Sequence, residues 1–321
     1  MNVFIPEPIG SSGIALLTQS CCCLAPWQAD SEGDSADLLG IADAVIVRIF
    51  QMGAAEMDAA PRLKVIAKHG VGLDNVDLSA ATERGIPVVW TPGSNANTVA
   101  EHTLALMLSL TRQLVPADRA VRDGWVVERS QFQGIELQGR TLGIVGLGRI
   151  GKRVALKASQ GLGMRVLAYD PYVDRTDYPG PAVFCASLDG IIEQSDYLTL
   201  HVPLTSETRG MMSADRLKQL RPGCRLINTS RGAVVDELAL ADALGRQQLA
   251  GAALDVYQQE PLSIEHPLLS APNVLLTPHI AGQSETAMQE SARMAAEGVL
   301  DVLADRRPMH LANPDAYPST D

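Results

Sequence analysis

The sequence predicts an α/β protein of two domains, each built on a parallel sheet, the smaller one discontinuous and the other central. Three observations lead there. Short apolar runs alternate with helix-like stretches along the chain. A glycine fingerprint, GLGRIG at 146–151, heads a second series of such runs. A helix-like segment late in the chain, 284–304, leads back toward the first series.

The first series comprises residues 3–5, 44–49, 65–67 and 88–90, each short and apolar enough for a buried parallel strand. The helix-like stretch 98–111 (TVAEHTLALMLSLT) leads into the second series. That series begins with a strand at 142–145 and continues through 166–169, 197–202, 225–229, 250–254 and 274–277. The expected domains are therefore 1–97 with 284–321, and 98–283. No sequence repeat, linker tract or low-complexity stretch interrupts them.

The fingerprint carries the first chemistry. It follows the strand at 142–145 at once, a helix continues over 152–160, and a second apolar strand ends at Asp170. In this strand–turn–helix–strand unit Gly146 permits a tight turn, Gly148 lets backbone approach a pyrophosphate, and Gly151 allows close helix–strand packing. The phosphates would meet free N–H groups at the helix N-terminus. Asp170 lies about twenty residues beyond Gly151, where an acid holds a ribose 2′-hydroxyl and repels a 2′-phosphate. The expectation is a Rossmann-like domain that takes NAD(H), not NADP(H).

Composition narrows the class. At 321 residues, 46% hydrophobic and 20% charged, the chain can fill two cores. A net charge of −11 without a dense Lys/Arg cluster argues against a nucleic-acid partner. No signal-peptide pattern opens the sequence and no apolar run is long enough to span a membrane, so a cytoplasmic protein with no membrane partner is expected. Three of the five cysteines are consecutive, Cys21 to Cys23, with Cys185 and Cys224 far away. That spacing suits free thiols rather than a disulfide framework or a metal site, and no metal is expected.

Three further segments, NTSRG (228–232), DVYQQEP (255–261) and TPHIAG (277–282), each follow a strand of the second series. In a parallel sheet such strand ends share one edge, so Arg231, Glu260 and His279 can converge. Singly, each has a plain structural use as a loop cation, a solvated acid or a helix-entry histidine. Together they suit hydride transfer at a 2-oxo or 2-hydroxy acid. Arg231 offers a planar fork to a carboxylate and polarises the adjacent carbonyl. His279 is the proton donor or acceptor, and Glu260 would bind its other ring nitrogen, orient it and favour its protonated form.

With these motifs in place, the chain resembles the D-isomer-specific 2-hydroxyacid dehydrogenase family over nearly its whole length. The matching pieces are KHGVGLDNVD (68–77), TPGSNANTVAEHTLALML (91–108), GLGRIG (146–151), HVPLTSET (201–208), LINTSRGAVVDE (226–237), ALDVYQQEP (253–261) and NVLLTPHIAG (273–282). The resemblance implies an Arg–Glu–His catalytic set at Arg231, Glu260 and His279. It implies cofactor contacts from Arg149 and Ile150 to the pyrophosphate, from Asp170 to the adenosine ribose, and from Thr229, Ser230 and Arg231 near the nicotinamide. It places Asp255 at the carboxamide, has residues 279–282, including Gly282, close the nicotinamide pocket, and implies a homodimer.

Among its relatives the chain looks most like the D-3-phosphoglycerate dehydrogenase branch. Residues 68–72 (KHGVG) would form a backbone nest in which Gly70, Val71 and Gly72 receive a substrate carboxylate. Arg48 and Lys68, each following a strand of the first series, would hold a second anionic group such as a phosphate or sulfonate. The sequence ends soon after His279, so an added carboxyl-terminal regulatory domain is not expected. Sulfolactate and glycerate or hydroxypyruvate remain open as substrates, and an NADH-sensing interaction protein is the reading from another class. His69 and His102 carry less weight, the latter as a helix histidine making local hydrogen bonds.

Overall fold

The computed structural model describes residues 1–27, 35–125, 128–176 and 178–317. Two compact units divide the chain: Met1–Asn95 with Gln283–Asp321, and Ala96–Gly282. The expected α/β class with two parallel sheets is met.

In the first unit the chain runs β1 (Asn2–Phe4), α1 (Ser11–Leu17), β2 (Cys22–Leu24), α2 (Ser35–Gly40), β3 (Ala44–Val47), α3 (Ala54–Asp58), β4 (Val65–Lys68), α4 (Leu78–Glu83) and β5 (Val88–Val89). The second unit opens with α5 (Ala96–Arg112) and α6 (Leu114–Arg122), then β6 (Thr141–Val145), α7 (Arg149–Leu162), β7 (Arg165–Tyr169) and β8 (Val183–Phe184). It continues through α8 (Leu188–Ile192), β9 (Tyr197–Leu200), α9 (Ala214–Gln219), β10 (Arg225–Asn228), α10 (Glu237–Gly245), β11 (Gly251–Leu254) and β12 (Val274–Leu276). The first unit is completed by α11 (Glu285–Leu303).

The first sheet has the order β2-β1-β3-β4-β5, all neighbours parallel. Every residue of β3 and β4 is buried, as expected for central strands covered by helices on both faces. One face packs on α11 through Ala292, Ala295, Ala296 and Val299. The opposite face packs around Phe4, Val45, Met57 and Ile66. Strand β2 was not anticipated: its cysteines read as thiols, and only pairing in register with β1, Asn2 opposite Cys22, makes them an edge strand. All five cysteines are free, with Cys22 exposed and Cys224 buried.

The second sheet has the order β12-β11-β10-β9-β6-β7-β8, again wholly parallel. The strand order reverses at β6 and β9, so the crevice beyond their carboxyl ends is the topological switch point where such sheets bind ligands. Helix α5 covers one face, with Ala100, Leu106 and Met107 against Leu142, Ile144 and Ile227. Among the described residues no helix is long and apolar enough to cross a membrane.

Candidate active site

At the switch point β6 runs fully buried into Gly146, whose φ of +93° is a conformation that side-chain-bearing residues rarely adopt. A Cβ there would also lie 2.5 Å from the carbonyl oxygen of His201, at the end of the neighbouring β9. Gly151 is needed for a different reason: a Cβ would lie 2.1 Å from the Gly146 carbonyl oxygen, because the first turn of α7 packs directly on the turn it leaves. Gly148 has nothing within 4 Å of its hypothetical Cβ. It is the N-cap of α7 and makes no side-chain cap, which leaves the first-turn N–H groups of that 14-residue helix facing open space.

Asp170, just past β7, closes this loop from the other side. One carboxylate oxygen accepts the Leu147 N–H at 2.7 Å and the other accepts the Tyr172 N–H at 2.9 Å. Gly148, Asp170, Tyr172, His201 and Val202 line a cleft of about 570 Å³. His201 is half-buried there; desolvation lowers its pKa to about 3, so the ring is neutral. Its Nε2 meets Thr199 Oγ1 at 3.0 Å, whereas Nδ1 is buried with no protein partner. An open glycine cap, unsatisfied helix N–H groups, a carboxylate at the second strand and an orphaned ring nitrogen fit an adenine dinucleotide. Arg149 is exposed and Ile150 half-buried at the start of α7.

Arg231, Glu260 and His279 follow β10, β11 and β12, three adjacent strands. His279 Nδ1 and Glu260 Oε2 are 2.7 Å apart. Glu260 is itself held by its other oxygen, which accepts the Tyr257 N–H at 3.0 Å. Leu262, Leu269, Leu276 and Pro278 line a cavity of about 360 Å³ beside the pair. Arg231 donates from Nη1 to the Ser230 carbonyl at 2.7 Å, and its own carbonyl accepts from Asn228 Nδ2 at 2.9 Å. Gly232, the next residue, abuts the Tyr257 backbone, where a Cβ would lie 1.9 Å from the carbonyl carbon. That contact seats Arg231 against the segment carrying Glu260.

Thr229 and Ser230 are buried. Thr229 Oγ1 lies 3.1 Å from Thr103 Oγ1 on α5, and Ser230 donates through N and Oγ to Asn228 Oδ1 at 3.0 and 2.8 Å. Asp255 is fully buried at the end of β11. Its Oδ1 accepts the Thr277 hydroxyl at 2.6 Å and the Ile280 N–H at 2.9 Å, and its Oδ2 accepts the Ala281 N–H at 2.7 Å. Burial would raise its pKa, but these bonds and the nearby His102 ring, 3.6 Å from Oδ1, outweigh that and hold the carboxyl below its ordinary value. Gly282 follows Ala281 and is half-buried.

Within the first unit the expected substrate residues have partners of their own. Lys68 is 8% exposed, and its ammonium donates to the Arg48 carbonyl and, at 2.5 Å, to Asn75 Oδ1. The carboxylate of Glu7 accepts three successive backbone N–H groups, those of Arg48, Ile49 and Phe50, at 2.8, 2.8 and 2.6 Å. The Arg48 guanidinium donates to the Pro8 carbonyl at 2.9 Å and to Gln283 Oε1 at 3.4 Å. Gly70 has φ +138°, and its N–H donates to Thr91 Oγ1 at 3.0 Å, which takes one donor out of the expected nest; Val71 and Gly72 are half-buried beside it. His69 is buried, its Nε2 3.1 Å from the Met288 carbonyl on α11, and burial lowers its pKa to about 4. Sequence reasoning missed Glu7 and Thr103, because hydrogen bonds spanning 41 to 126 residues leave no mark on local pattern, and it missed His201, whose exposure to the cleft depends on how β6 and β9 lie side by side.

Residues 104–281 match the model of the D-isomer specific 2-hydroxyacid dehydrogenase NAD-binding domain. The chain is 40% identical to a glyoxylate reductase of Thermofilum pendens, over 96% of this chain and 92% of that protein. It is 39% identical to a D-3-phosphoglycerate dehydrogenase of Archaeoglobus fulgidus over 94% of its own length, but spans only 57% of that relative. An NADPH-dependent glyoxylate/hydroxypyruvate reductase from Sinorhizobium meliloti, solved with NADP and malonate, superposes with a TM-score of 0.84 at 31% identity, covering 100% of this chain and 99% of the other. The chain belongs to the D-isomer specific 2-hydroxyacid dehydrogenase family.

Proposed function

We propose that this protein is an NAD-dependent oxidoreductase that interconverts a small 2-hydroxy acid and its 2-oxo acid. The carrying observation is the 2.7 Å contact between His279 Nδ1 and Glu260 Oε2. With Nδ1 committed to a carboxylate, Nε2 is the nitrogen left to exchange a proton with substrate oxygen. Bound NADH supplies the hydride. Arg231 grips the substrate carboxylate and polarises the neighbouring carbonyl, while His279 delivers the proton to the oxygen that becomes the hydroxyl. In the reverse direction His279 removes it.

The preference for NAD over NADP rests on Asp170, whose carboxylate would repel a 2′-phosphate. A substrate with a second anionic group, resembling 3-phosphoglycerate, has less support than a monoanion such as glyoxylate or hydroxypyruvate. Lys68 spends its ammonium on Arg48 and Asn75, and Glu7 brings a negative charge to the backbone of residues 48–50. Helix α6 leaves Leu114, Val115 and Val121 exposed, which favours a homodimer over a monomer; light scattering tests that.

The test of function is NADH oxidation by the purified protein with glyoxylate, hydroxypyruvate, pyruvate, phosphohydroxypyruvate and sulfopyruvate. Turnover highest with a monoanion is the expected result. Preference for phosphohydroxypyruvate or sulfopyruvate would return Arg48 to the role of anion clamp. NADH binding without turnover of any acid would favour an NADH-sensing interaction protein instead.

A further inference from the structure

His102 sits on α5, in sequence far from His279, yet its ring reaches the hydrogen bonds beneath the catalytic segment. Its Nε2 is 3.3 Å from Thr277 Oγ1 and 3.6 Å from Asp255 Oδ1. The direction of each bond follows from chemistry. An ionised Asp255 can only accept, so the Thr277 hydroxyl donates to it across 2.6 Å. The Thr277 oxygen is then left with lone pairs alone, and the His102 nitrogen facing it must be the protonated Nε2–H. A chain of donors thus runs from His102 through Thr277 to Asp255.

Asp255 also accepts the N–H groups of Ile280 and Ala281, the two residues after His279. His279 itself has φ +53°, a left-handed conformation that a residue with a side chain holds only when its surroundings impose it. Here the surroundings are visible: Asp255 fixes the two peptides after it, and the His279 N–H bonds back to the Thr277 carbonyl at 3.1 Å. Tyr257 adds a second brace, its hydroxyl donating to that same Thr277 carbonyl at 2.9 Å. Thr277 is therefore bound at both its hydroxyl and its carbonyl, two residues before the catalytic histidine.

We propose that His102 is a positioning residue for His279, acting through the Thr277 hydroxyl and the Asp255 carboxylate to hold the 277–281 segment in the conformation that aims the imidazole. This rests on the proton-transfer role given to His279 above, and the test separates the two. The variants are His102→Leu, which removes the donor, and His102→Gln, which keeps an N–H on a similar reach. The first readout needs no turnover: amide hydrogen exchange at Ile280 and Ala281. His102→Leu should accelerate it on the order of tenfold, and His102→Gln should stay near wild type.

The second readout is kcat with the best 2-oxo acid, measured with NADH and with NADH deuterated at the transferred position. His102→Leu should lower kcat on the order of tenfold with little change in the KM for NADH, and should enlarge the isotope effect because chemistry becomes slower. A mere loss of folded protein would lower kcat and leave the isotope effect alone. Unchanged exchange in His102→Leu, or equal losses in the Leu and Gln variants, overturns the proposal. So does unchanged kcat in a background where His279→Ala is inactive. If His279→Ala retains turnover, the assignment of the proton donor falls, while exchange at residues 280 and 281 still decides whether His102 holds the segment. Should His102→Leu not fold, Thr277→Val cuts the same chain at its middle, and its exchange and kinetics are read in the same way.

Discussion

Glu260 Oε2 and His279 Nδ1 approach to 2.7 Å across the ends of two adjacent parallel strands. Both side chains are partly open to solvent, 37% and 52% exposed, so this pair is placed for access and not for stability. Glu260→Gln keeps the size but loses the charge that fixes the ring's proton on Nδ1. Its kcat for 2-oxo acid reduction should fall roughly 10²-fold, since a misaimed donor costs about that much, while thermal stability stays close to wild type. Steady-state kinetics beside a melting curve check this; a kcat within twofold of wild type would remove Glu260 from the relay.

Gly148 and Gly151 should separate binding from folding. Gly151→Ala forces a methyl to within 2.1 Å of the Gly146 carbonyl oxygen and should destabilise the protein by about 1–3 kcal/mol. Gly148→Ala meets no protein atom, so its melting temperature should hold while its NADH affinity drops, because the space it fills is where a pyrophosphate would lie. Fluorescence titration with NADH and calorimetry distinguish the two, and equal melting temperatures would contradict the argument.

Asp170→Ala should weaken NADH binding by about 10- to 100-fold, the worth of a charged hydrogen bond of ~1.5–3 kcal/mol. NADPH affinity should change less or improve, because the charge facing a 2′-phosphate is gone. Part of the NADH loss would come from the freed Leu147 N–H and a looser glycine turn. An unaltered NADH to NADPH ratio would mean that another group discriminates.

Stability should decline as pH falls below the ordinary histidine range. Burial lowers His201 to about 3 and His69 to about 4, so the folded protein keeps both rings neutral while the unfolded chain protonates them near 6.5. The unfolded state then binds more protons, and stability that is complete above pH 6.5 is lost toward those folded values. By linkage each ring costs about 2 kcal/mol at pH 5. Urea unfolding at pH 7 and pH 5 should show the loss, and His201→Asn should reduce it by roughly half.

Much of the fold was legible because parallel strands buried on both faces are short, continuous apolar runs. The segments at 44–49, 65–67 and 142–145 declare themselves by composition and correspond to β3, β4 and β6. Strands β2 and β8 did not, since Cys22–Leu24 and Val183–Phe184 are short edge strands specified by their neighbours. The fingerprint glycines were readable for a similar local reason, the turn and the helix start being contiguous in sequence. The partners of Lys68 were not readable: a lysine after a strand looks like a surface cation, and only the packed loops show Arg48 and Asn75 consuming its donors.

The sequence alone determined the α/β class, the alternation of strands and helices, the glycine turn and the strand ends on which Arg231, Glu260 and His279 lie. These follow from periodicity and from residue types that act within a few positions of one another. Only the tertiary structure decided which charges are spent internally, as with Glu7 on the backbone of residues 48–50, and how His279 is held, through Asp255 and His102. Hydrogen bonds are short and directional, so their partners are chosen by where the folded backbone brings atoms together, whatever their separation along the chain.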